Sequence, residues 1–464
     1  MNKLIVVAIR CSLMLLLPAV AYPDSATWDL NPGSGDWNTA ANWTPMTVPN
    51  GPADIATFAL SNTTNVSISE NTEVNGITFT AAATNPYTIT ASAAFTLFIS
   101  GTGITNNSGS TQHFMTAVGA NGEFGLIVFT NSATAGTSTT FTNNGGIVSG
   151  ATGGSTVFHD SSTAASATLI ANSGTGGGEG GQIFFNEEST GGTSRVELFG
   201  NGSLEISAHA ASGVTIGSIE GDGDAFLGAN NLTVGSNNLS TIFSGVIQDG
   251  GRGGGVGGSL TKIGSGTLIL SGANTYTGST NINGGVLQVD GSITSNTTVH
   301  DAGTLAGTGT VYGNVTNNNG GTVRPGGAPG APGVLTVVHN YTQTQFATLM
   351  IQIAGTSTGQ FSVLDVLGNA NLNGYLDPVL LNGFVPTIGD SFTFLNYASF
   401  TGEFSHIQNQ VFNHGTEQWS VIYQNNSAIL TVESRTIIPD QGSTFLLLTL
   451  GLLALVTYRQ KCWH

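Results

Sequence analysis

Residues 258–292 constrain the fold of this chain more than any other stretch. The apolar run at 268–270 ends within a few residues at Gly, Asn, Ser or Thr, which is the pattern of short strands separated by turns. Similar runs recur about every 20 residues, at 267–270, 285–289, 303–305 and 321–323. A strand that recurs at this spacing predicts a solenoid of parallel β coils, hydrogen-bonded about 4.8 Å apart.

Composition favours an ordered β protein that is rich in turns. The 464 residues include 67 Gly, only 8% are charged and 39% are hydrophobic, whereas disorder normally needs low hydrophobicity and high charge. The formal net charge of -17 predicts a surface that repels nucleic acid. The two cysteines, Cys11 and Cys462, lie in the terminal segments. The body therefore has no disulfide framework or cysteine metal site, and we expect no cofactor.

The stretch 258–292 resembles the autotransporter-associated β-strand repeat. The resemblance is carried by Lys262, Gly264, Gly266, Thr267, Leu268, Gly272, Asn274, Tyr276 and Gly278. It implies an exported passenger protein of a Gram-negative bacterium, and the repeat itself carries no catalytic residue. The predicted fold class is all-β: a right-handed parallel β-helix with a C-terminal β-rich capping domain, a signal peptide and a single C-terminal apolar helix.

The N-terminal residues 1–21 are typical of a secretory signal peptide. A basic start is followed by an apolar run and by the small residues Ala19 and Ala21, so cleavage after Ala21 is predicted. The secretion machinery is therefore an expected partner.

The C-terminal segment 437–464 resembles a PEP-CTERM sorting signal, closest to the variant that begins V-P-D-S-G-S-T. Its motif residues are Pro439, Asp440, Gly442, Ser443 and Thr444, and they precede the apolar run 445–458 and a basic end. Fourteen residues of helix cover about 21 Å, short of the roughly 30 Å core of a bilayer. The resemblance implies a transient inner-membrane anchor that an exosortase-type enzyme removes. The alternative is a plain tail anchor.

Domain boundaries follow from composition. We predict an N-terminal cap with the first coils at 22–80, a solenoid at 81–333 and a C-terminal β domain at 334–434, with a boundary at the Pro cluster 324–333. Trp28, Trp37 and Trp43 lie close together in the first of these domains. They predict either a cap over the first coil or an aromatic platform for sugars.

Residues with catalytic chemistry are sparse and scattered. The neighbours Glu187 and Glu188 point to opposite faces if they lie in a strand, so they cannot act as a glycosidase pair. Turn residues are the favoured interpretation of three further pairs: Asp222 with Asp224, His159 with Asp160, and His300 with Asp301. The Gly-rich run 250–258 lacks a phosphate-binding motif and is interpreted as a protruding loop. These observations predict that the chain is not an enzyme.

The sequence therefore predicts a secreted, non-enzymatic solenoid with an adhesion, biofilm or envelope role. It would reside at the cell surface, the outer membrane or the extracellular matrix, with surface polysaccharide as a possible partner. The alternative is a carbohydrate-active enzyme or a carbohydrate-binding protein on the same scaffold. Two carboxylates gathered within about 10 Å in one pocket would favour that alternative.

Overall fold

The computed structural model describes residues 24–210 and 213–435. The predicted signal peptide with Ala19 and Ala21 lies outside the described residues, as do the sorting motif and the predicted apolar helix of the C-terminal segment. The chain divides into two compact units. The first contains the described residues up to Leu268 together with Gly272–Ser279, and the second contains Ile269–Ser271 and the described residues from Thr280 onward.

Strands of the first unit are short and numerous. They are β1 (Ala26–Trp28), β2 (Trp43–Thr44), β3 (Gly51–Phe58), β4 (Asn65–Ile68), β5 (Thr72–Phe79), β6 (Thr88–Ala91), β7 (Thr96–Asn106), β8 (Gln112–Thr116), β9 (Leu126–Phe129), β10 (Thr139–Asn143), β11 (Ser155–Phe158), β12 (Thr168–Ala171), β13 (Gln182–Phe185), β14 (Arg195–Leu198), β15 (Ser203–Glu205), β16 (Val214–Ile216), β17 (Ser218–Gly221), β18 (Asp224–Phe226), β19 (Asn231–Val234), β20 (Thr241–Phe243), β21 (Val246–Gln248), β22 (Ser259–Lys262), β23 (Thr267–Leu270), inside which the two units divide, and β24 (Ala273–Asn274). A single 3-10 turn at Ala40–Asn42 accompanies them among the described residues of this unit.

Strands of the second unit follow the same pattern and lengthen toward the end of the chain. They are β25 (Thr280–Ile282), β26 (Gly285–Val289), β27 (Ser292–Ile293), β28 (Thr297–Val299), β29 (Gly303–Gly307), β30 (Thr310–Val311), β31 (Val315–Asn317), β32 (Thr322–Pro325), β33 (Val334–Val337), β34 (Tyr341–Gln343), β35 (Thr348–Ile353), β36 (Val363–Val366), β37 (Asn369–Leu372), β38 (Tyr375–Leu380), β39 (Ser391–Asn396), β40 (Ser399–Gly402), β41 (His406–Ile407), β42 (Val411–Phe412), β43 (Glu417–Tyr423) and β44 (Ser427–Ser434). A 3-10 turn at Asn413–Gly415 precedes β43.

Parallel pairing between successive coils builds the walls of the first unit. One wall runs through β3, β5, β7, β9, β11, β13, β15, β18 and β21, and a second through β4, β6, β8, β10, β12, β14, β17 and β20. Phe158 pairs with Phe129 on one side and with Phe185 on the other, so one coil spans 130–158 and the next spans 159–185. This connectivity is that of a parallel β-solenoid, in which every strand pairs with the equivalent strand one coil away.

The second unit repeats this arrangement with three walls and shorter coils at its start. Leu305 pairs with Leu287 and with Val323, which defines the short coils 288–305 and 306–323. Val323 pairs in turn with Leu349, so the following coil, 324–349, is longer. The spacing of about 20 residues predicted from the sequence is therefore close to the observed coil length in 285–323. It is wrong for the first unit, where coils such as 130–158 are longer because extended turns separate the strands.

Alternating side chains fill the interior of the coils. In β12 the residues Leu169 and Ala171 are buried and their neighbours are half-exposed, as the period of two in a strand requires. The rings of Phe129, Phe158 and Phe185 form a continuous stack, with centroids 4.9 Å apart and planes inclined by 10° at both contacts. That distance equals the spacing of the strands that carry the rings, so the backbone ladder places each ring directly over the next.

The ends of the described chain depart from parallel stacking. Trp28, Trp37 and Trp43 are buried and pack edge to face, with centroids 5.0 and 4.9 Å apart, so they are not available as an exposed sugar platform. At the other end β39 pairs antiparallel with β44, which pairs antiparallel with β43.

The prediction of an all-β fold with long parallel sheets is confirmed. No helix in the part of the chain that the structure describes is long and apolar enough to cross a bilayer.

The stack of three Phe rings predicts that the free energy of unfolding is sensitive to truncation of the central ring. Phe158→Ala removes the central ring and leaves a cavity, and we expect the free energy of unfolding to fall by about 3–5 kcal/mol. Phe98→Ala is the matched control, because Phe98 lies in the same wall but is exposed. Urea unfolding followed by tryptophan fluorescence measures both variants. Equal losses in the two variants would contradict the stacked core.

Candidate functional site

The repeat residues predicted from the sequence occupy structural positions. Lys262 ends β22 and is only 1% exposed, and its ammonium donates to the carbonyl oxygens of Ile263 (2.6 Å) and Gly264 (3.4 Å). Asn274 is also buried, and its side-chain oxygen accepts the Ile247 backbone N–H at 3.0 Å. Lys262 thus satisfies carbonyl groups of the turn that follows β22, and Asn274 satisfies a backbone N–H of β21. Tyr276 lies in the core, as does Leu268.

The glycines of the repeat permit positive φ and close backbone approach. Gly264 has a φ of +69°, a conformation that side chains other than glycine rarely adopt. At Gly272 an added Cβ would lie 2.0 Å from the carbonyl oxygen of Gly245, so no larger residue fits. Gly266 and Gly278 approach neighbouring carbonyls in the same way, and Thr267 begins β23. These positions determine how tightly the chain turns.

A groove on the wall of the first unit brings together carboxylate residues that are separated in the sequence. Glu205 ends β15 and Asp224 begins β18, and these strands are paired with Ser203 opposite Asp224. The two carboxylate residues are therefore offset by two positions on adjacent strands, which places their Cα atoms about 8 Å apart. Both line a cavity of ≈ 300 Å³. The other lining residues are Glu179, Gly180, Gln182, Asn201, Ser203, Phe226 and Arg252.

Burial sets the electrostatics of this groove. Glu205 is 5% exposed, and desolvation raises its pKa, although hydrogen bonds from the Ser207 hydroxyl (2.8 Å) and the Arg252 backbone N–H (3.2 Å) oppose that shift. Desolvation also raises the pKa of Asp224. A carboxyl group whose pKa is raised is suited to proton transfer nearer neutral pH. Two carboxyl groups with polar neighbours in one groove can act as an acid and base pair.

The Gly-rich loop 250–258 covers one side of the groove. The Arg252 guanidinium donates to Gln182 Oε1 at 2.6 Å and lies 5.1 Å from the centre of the Phe184 ring, a cation–π arrangement. The Gly253 backbone N–H donates to the Ser207 hydroxyl at 2.8 Å. These contacts hold Arg252 and Gly253 against the wall, whereas Val256 is 78% exposed, so the rest of the loop protrudes as predicted.

The remaining polar pairs lie at turns or on exposed walls. The Asp160 carboxylate accepts the Asn131 backbone N–H, and the Glu187 carboxylate accepts that of Asp160, both at 2.7 Å, which links three successive coils. His159 lies 4.0 Å from Glu187, and His300 contacts Asn281 at 3.4 Å. Across 24–210 and 213–435, no group of three or more His, Cys, Asp or Glu side chains is placed to hold a metal ion.

Asp224 differs from its sequence interpretation. Asp222 lies in the turn as predicted and accepts the Gly200 backbone N–H at 2.8 Å, whereas Asp224 lies in β18 and faces the groove. Glu205 has no acidic residue beside it in the sequence, so no local pattern indicates that it belongs to a pair of carboxylates. Only the alternation of β15, with Leu204 directed inward, indicates that Glu205 points outward.

Comparison with known proteins identifies the repeat and a class of relatives. Residues 260–289 match the model of the Passenger-associated-transport-repeat, which confirms the predicted repeat. A protein named "Adhesin BmaC autotransporter" from Brucella suis biovar 1 (strain 1330) is 36% identical over 110 residues, 23% of this chain and 3% of that protein. Two proteins named "Extracellular serine protease" from Serratia marcescens are 54% identical over 52 residues and 50% identical over 50 residues. Each of those matches covers 11% of this chain and 5% of the relative.

These relatives indicate an extracellular, passenger-type protein with a surface or extracellular location. The chain covers only 3% to 5% of the length of the relatives it matches. The prediction that the chain is not an enzyme is wrong, because two of these relatives are named as proteases. That prediction rested on catalytic pairs close in sequence, and the groove shows that the coils bring distant carboxylates together.

The buried ammonium group of Lys262 makes the free energy of unfolding depend on pH in the alkaline range. Burial lowers the pKa of its ammonium from 10.5 to about 8, so the unfolded chain binds this proton more tightly than the folded protein does. Stability therefore rises with pH between about 8 and 10.5, and below that window the full cost of the buried charge is present. Relative to Lys262→Met, the native protein should gain about 1–3 kcal/mol across this window. Urea unfolding of both proteins at several pH values measures the difference, and a constant difference would refute the shift.

Proposed function

We propose that this chain is an exported, passenger-type protein folded as a right-handed parallel β-helix, with a role in adhesion or in building a biofilm or envelope layer. The observation that carries the proposal is a regular polar surface produced by the coil repeat. Such a surface offers many equivalent hydrogen-bonding groups at a fixed spacing, which suits attachment to a repetitive polymer such as a surface polysaccharide.

An asparagine ladder on the second unit shows this regularity. The Asn296 side-chain oxygen accepts the Asn314 backbone N–H at 2.8 Å, the Asn314 oxygen accepts that of Asn340 at 3.1 Å, and the Asn340 oxygen accepts that of Asn369 at 2.9 Å. The amide groups thereby stabilise the exposed turns of four successive coils. The relative named as an adhesin supports the same role for this chain.

We further propose that export and sorting use the two terminal segments. The signal peptide would be removed after Ala21, and the segment 437–464 would hold the protein in the inner membrane until an exosortase-type enzyme cleaves it near Pro439 and Asp440. The resemblance of both segments to known signals supports this step, and the extracellular class of the relatives agrees with export.

Mass spectrometry of the exported protein tests the sorting proposal. We expect an N terminus at Tyr22 and loss of the segment 445–464, because the motif that precedes this segment marks it for removal. A variant with Pro439→Ala and Asp440→Ala should keep the segment and stay with the membrane fraction. An intact C-terminal segment in the exported native protein would overturn the sorting proposal, leaving the solenoid unaffected.

The groove supports a second candidate function, hydrolysis of a neutral glycan. Glu205 and Asp224 supply two carboxyl groups of raised pKa, and Gln182 and Asn201 supply amide groups for sugar hydroxyls. The ring of Phe226 is half-exposed beside them, as sugar stacking requires. A neutral glycan is favoured because the groove contains three carboxylates and one guanidinium.

Hydrolysis of neutral oligosaccharides by the purified protein tests this candidate. Glu205→Gln should lower the rate at least 100-fold while far-UV circular dichroism stays unchanged, and Asp224→Asn should do the same. Glu188→Gln is the matched control, since Glu188 is exposed away from the groove. No release of sugars by the native protein, or a release of sugars that Glu205→Gln leaves unchanged, would refute hydrolysis in the groove.

A further inference from the structure

A second cavity lies on the outer wall of the second unit. It has a volume of ≈ 390 Å³, within the range of small-molecule sites, and it lies over β26, β29, β32, β35 and β38. Its lining is largely aliphatic, with Val286, Met350, Val379 and Leu381 among the contributors. The loop 326–333 covers it through Pro329 and Gly330.

Two residues that line this aliphatic cavity, Arg324 and Gln352, each carry a buried side-chain N–H donor without a partner. Arg324 is 6% exposed, and its Nη1 has no hydrogen-bond partner. Gln352 is 2% exposed, and its Oε1 accepts the Gly330 backbone N–H at 2.6 Å while its Nε2 has no partner. An unsatisfied buried donor costs about 1–3 kcal/mol, and a charged donor costs more. Native proteins rarely leave two such donors in one cavity without a role for them.

The charge of Arg324 is also unpaired. Burial lowers the pKa of its guanidinium, and among the described residues no carboxylate forms an ion pair with it. Asp377 lies on the same wall, but the strand register places Met350 between the two residues. Asp377 Oδ1 itself lacks a partner, and burial raises the pKa of its carboxyl group. The wall of the cavity therefore contains a cation and an amide N–H that no group of the described residues satisfies.

We propose that this cavity binds a small aliphatic monocarboxylate. Its two oxygens would accept hydrogen bonds from Arg324 Nη1 and Gln352 Nε2, and its hydrocarbon chain would pack on Met350 and Val379. A single negative charge balances the single guanidinium. A phosphate dianion fits less well, because an aliphatic lining cannot replace the water that a dianion loses.

Titration of the purified full chain with three probes tests the proposal. Hexanoate should bind, whereas hexanol, which lacks the charge, and acetate, which lacks the chain, should each bind at least 10-fold more weakly by isothermal calorimetry. Gln352→Glu places a carboxylate beside Arg324 and should weaken hexanoate binding at least 10-fold. It should also raise the melting temperature, because the guanidinium gains a partner. Gln408→Glu, an exposed position in the same unit, adds the same charge and should change neither property.

Three results would overturn the proposal. The native protein fails to bind hexanoate, or hexanol binds as tightly as hexanoate, or Gln352→Glu retains full binding with its far-UV circular dichroism unchanged. If Gln352→Glu does not fold, Val379→Trp replaces it, because the larger ring fills the cavity. Hexanoate binding that survives Val379→Trp would then refute the site.

Discussion

Parallel pairing of each strand with the equivalent strand one coil away is the constraint on which both units depend. The pairing sets a spacing of about 4.8 Å, and side chains at equivalent positions must fit that spacing. The rings of Phe129, Phe158 and Phe185 do so at 4.9 Å with nearly parallel planes. The glycines of the repeat allow the backbone to turn closely enough to keep the register, as the 2.0 Å approach at Gly272 shows.

The same spacing concentrates chemistry on the outer walls. Glu205 and Asp224 are far apart along the chain, yet they occupy adjacent strands because one coil separates them. In the second unit, Arg324 and Asp377 lie on either side of Met350 for the same reason. Within each unit a loop then lies against part of the wall. The Gly-rich loop 250–258 borders the groove through Arg252, and the Pro-containing loop 326–333 covers part of the aliphatic cavity through Pro329 and Gly330.

The fold was largely predictable, because the repeat residues act locally. The positive φ at position 264 favours a glycine, and the residues that fill the interior must be apolar at alternate positions of a strand. Both signals are therefore present in a short window of sequence. The groove was not predictable in this way. Asp224 lies in a run of alternating Gly and Asp residues that predicts a turn, and Glu205 has no acidic neighbour in the chain. Their meeting depends on a coil length that varies along the chain, from the long coil 130–158 to the short coil 288–305.

The sequence by itself determined the strand and turn alternation, the repeat at 260–289 and the acidic, cysteine-free body, since each depends on residue type and short-range spacing. Only the tertiary structure decided which residues become neighbours across coils, because the register depends on the summed length of every turn between two strands. It also decided that Glu205 and Arg324 are buried. Burial came from loops that fold back onto the walls, and no local pattern in the chain specifies where a loop will lie.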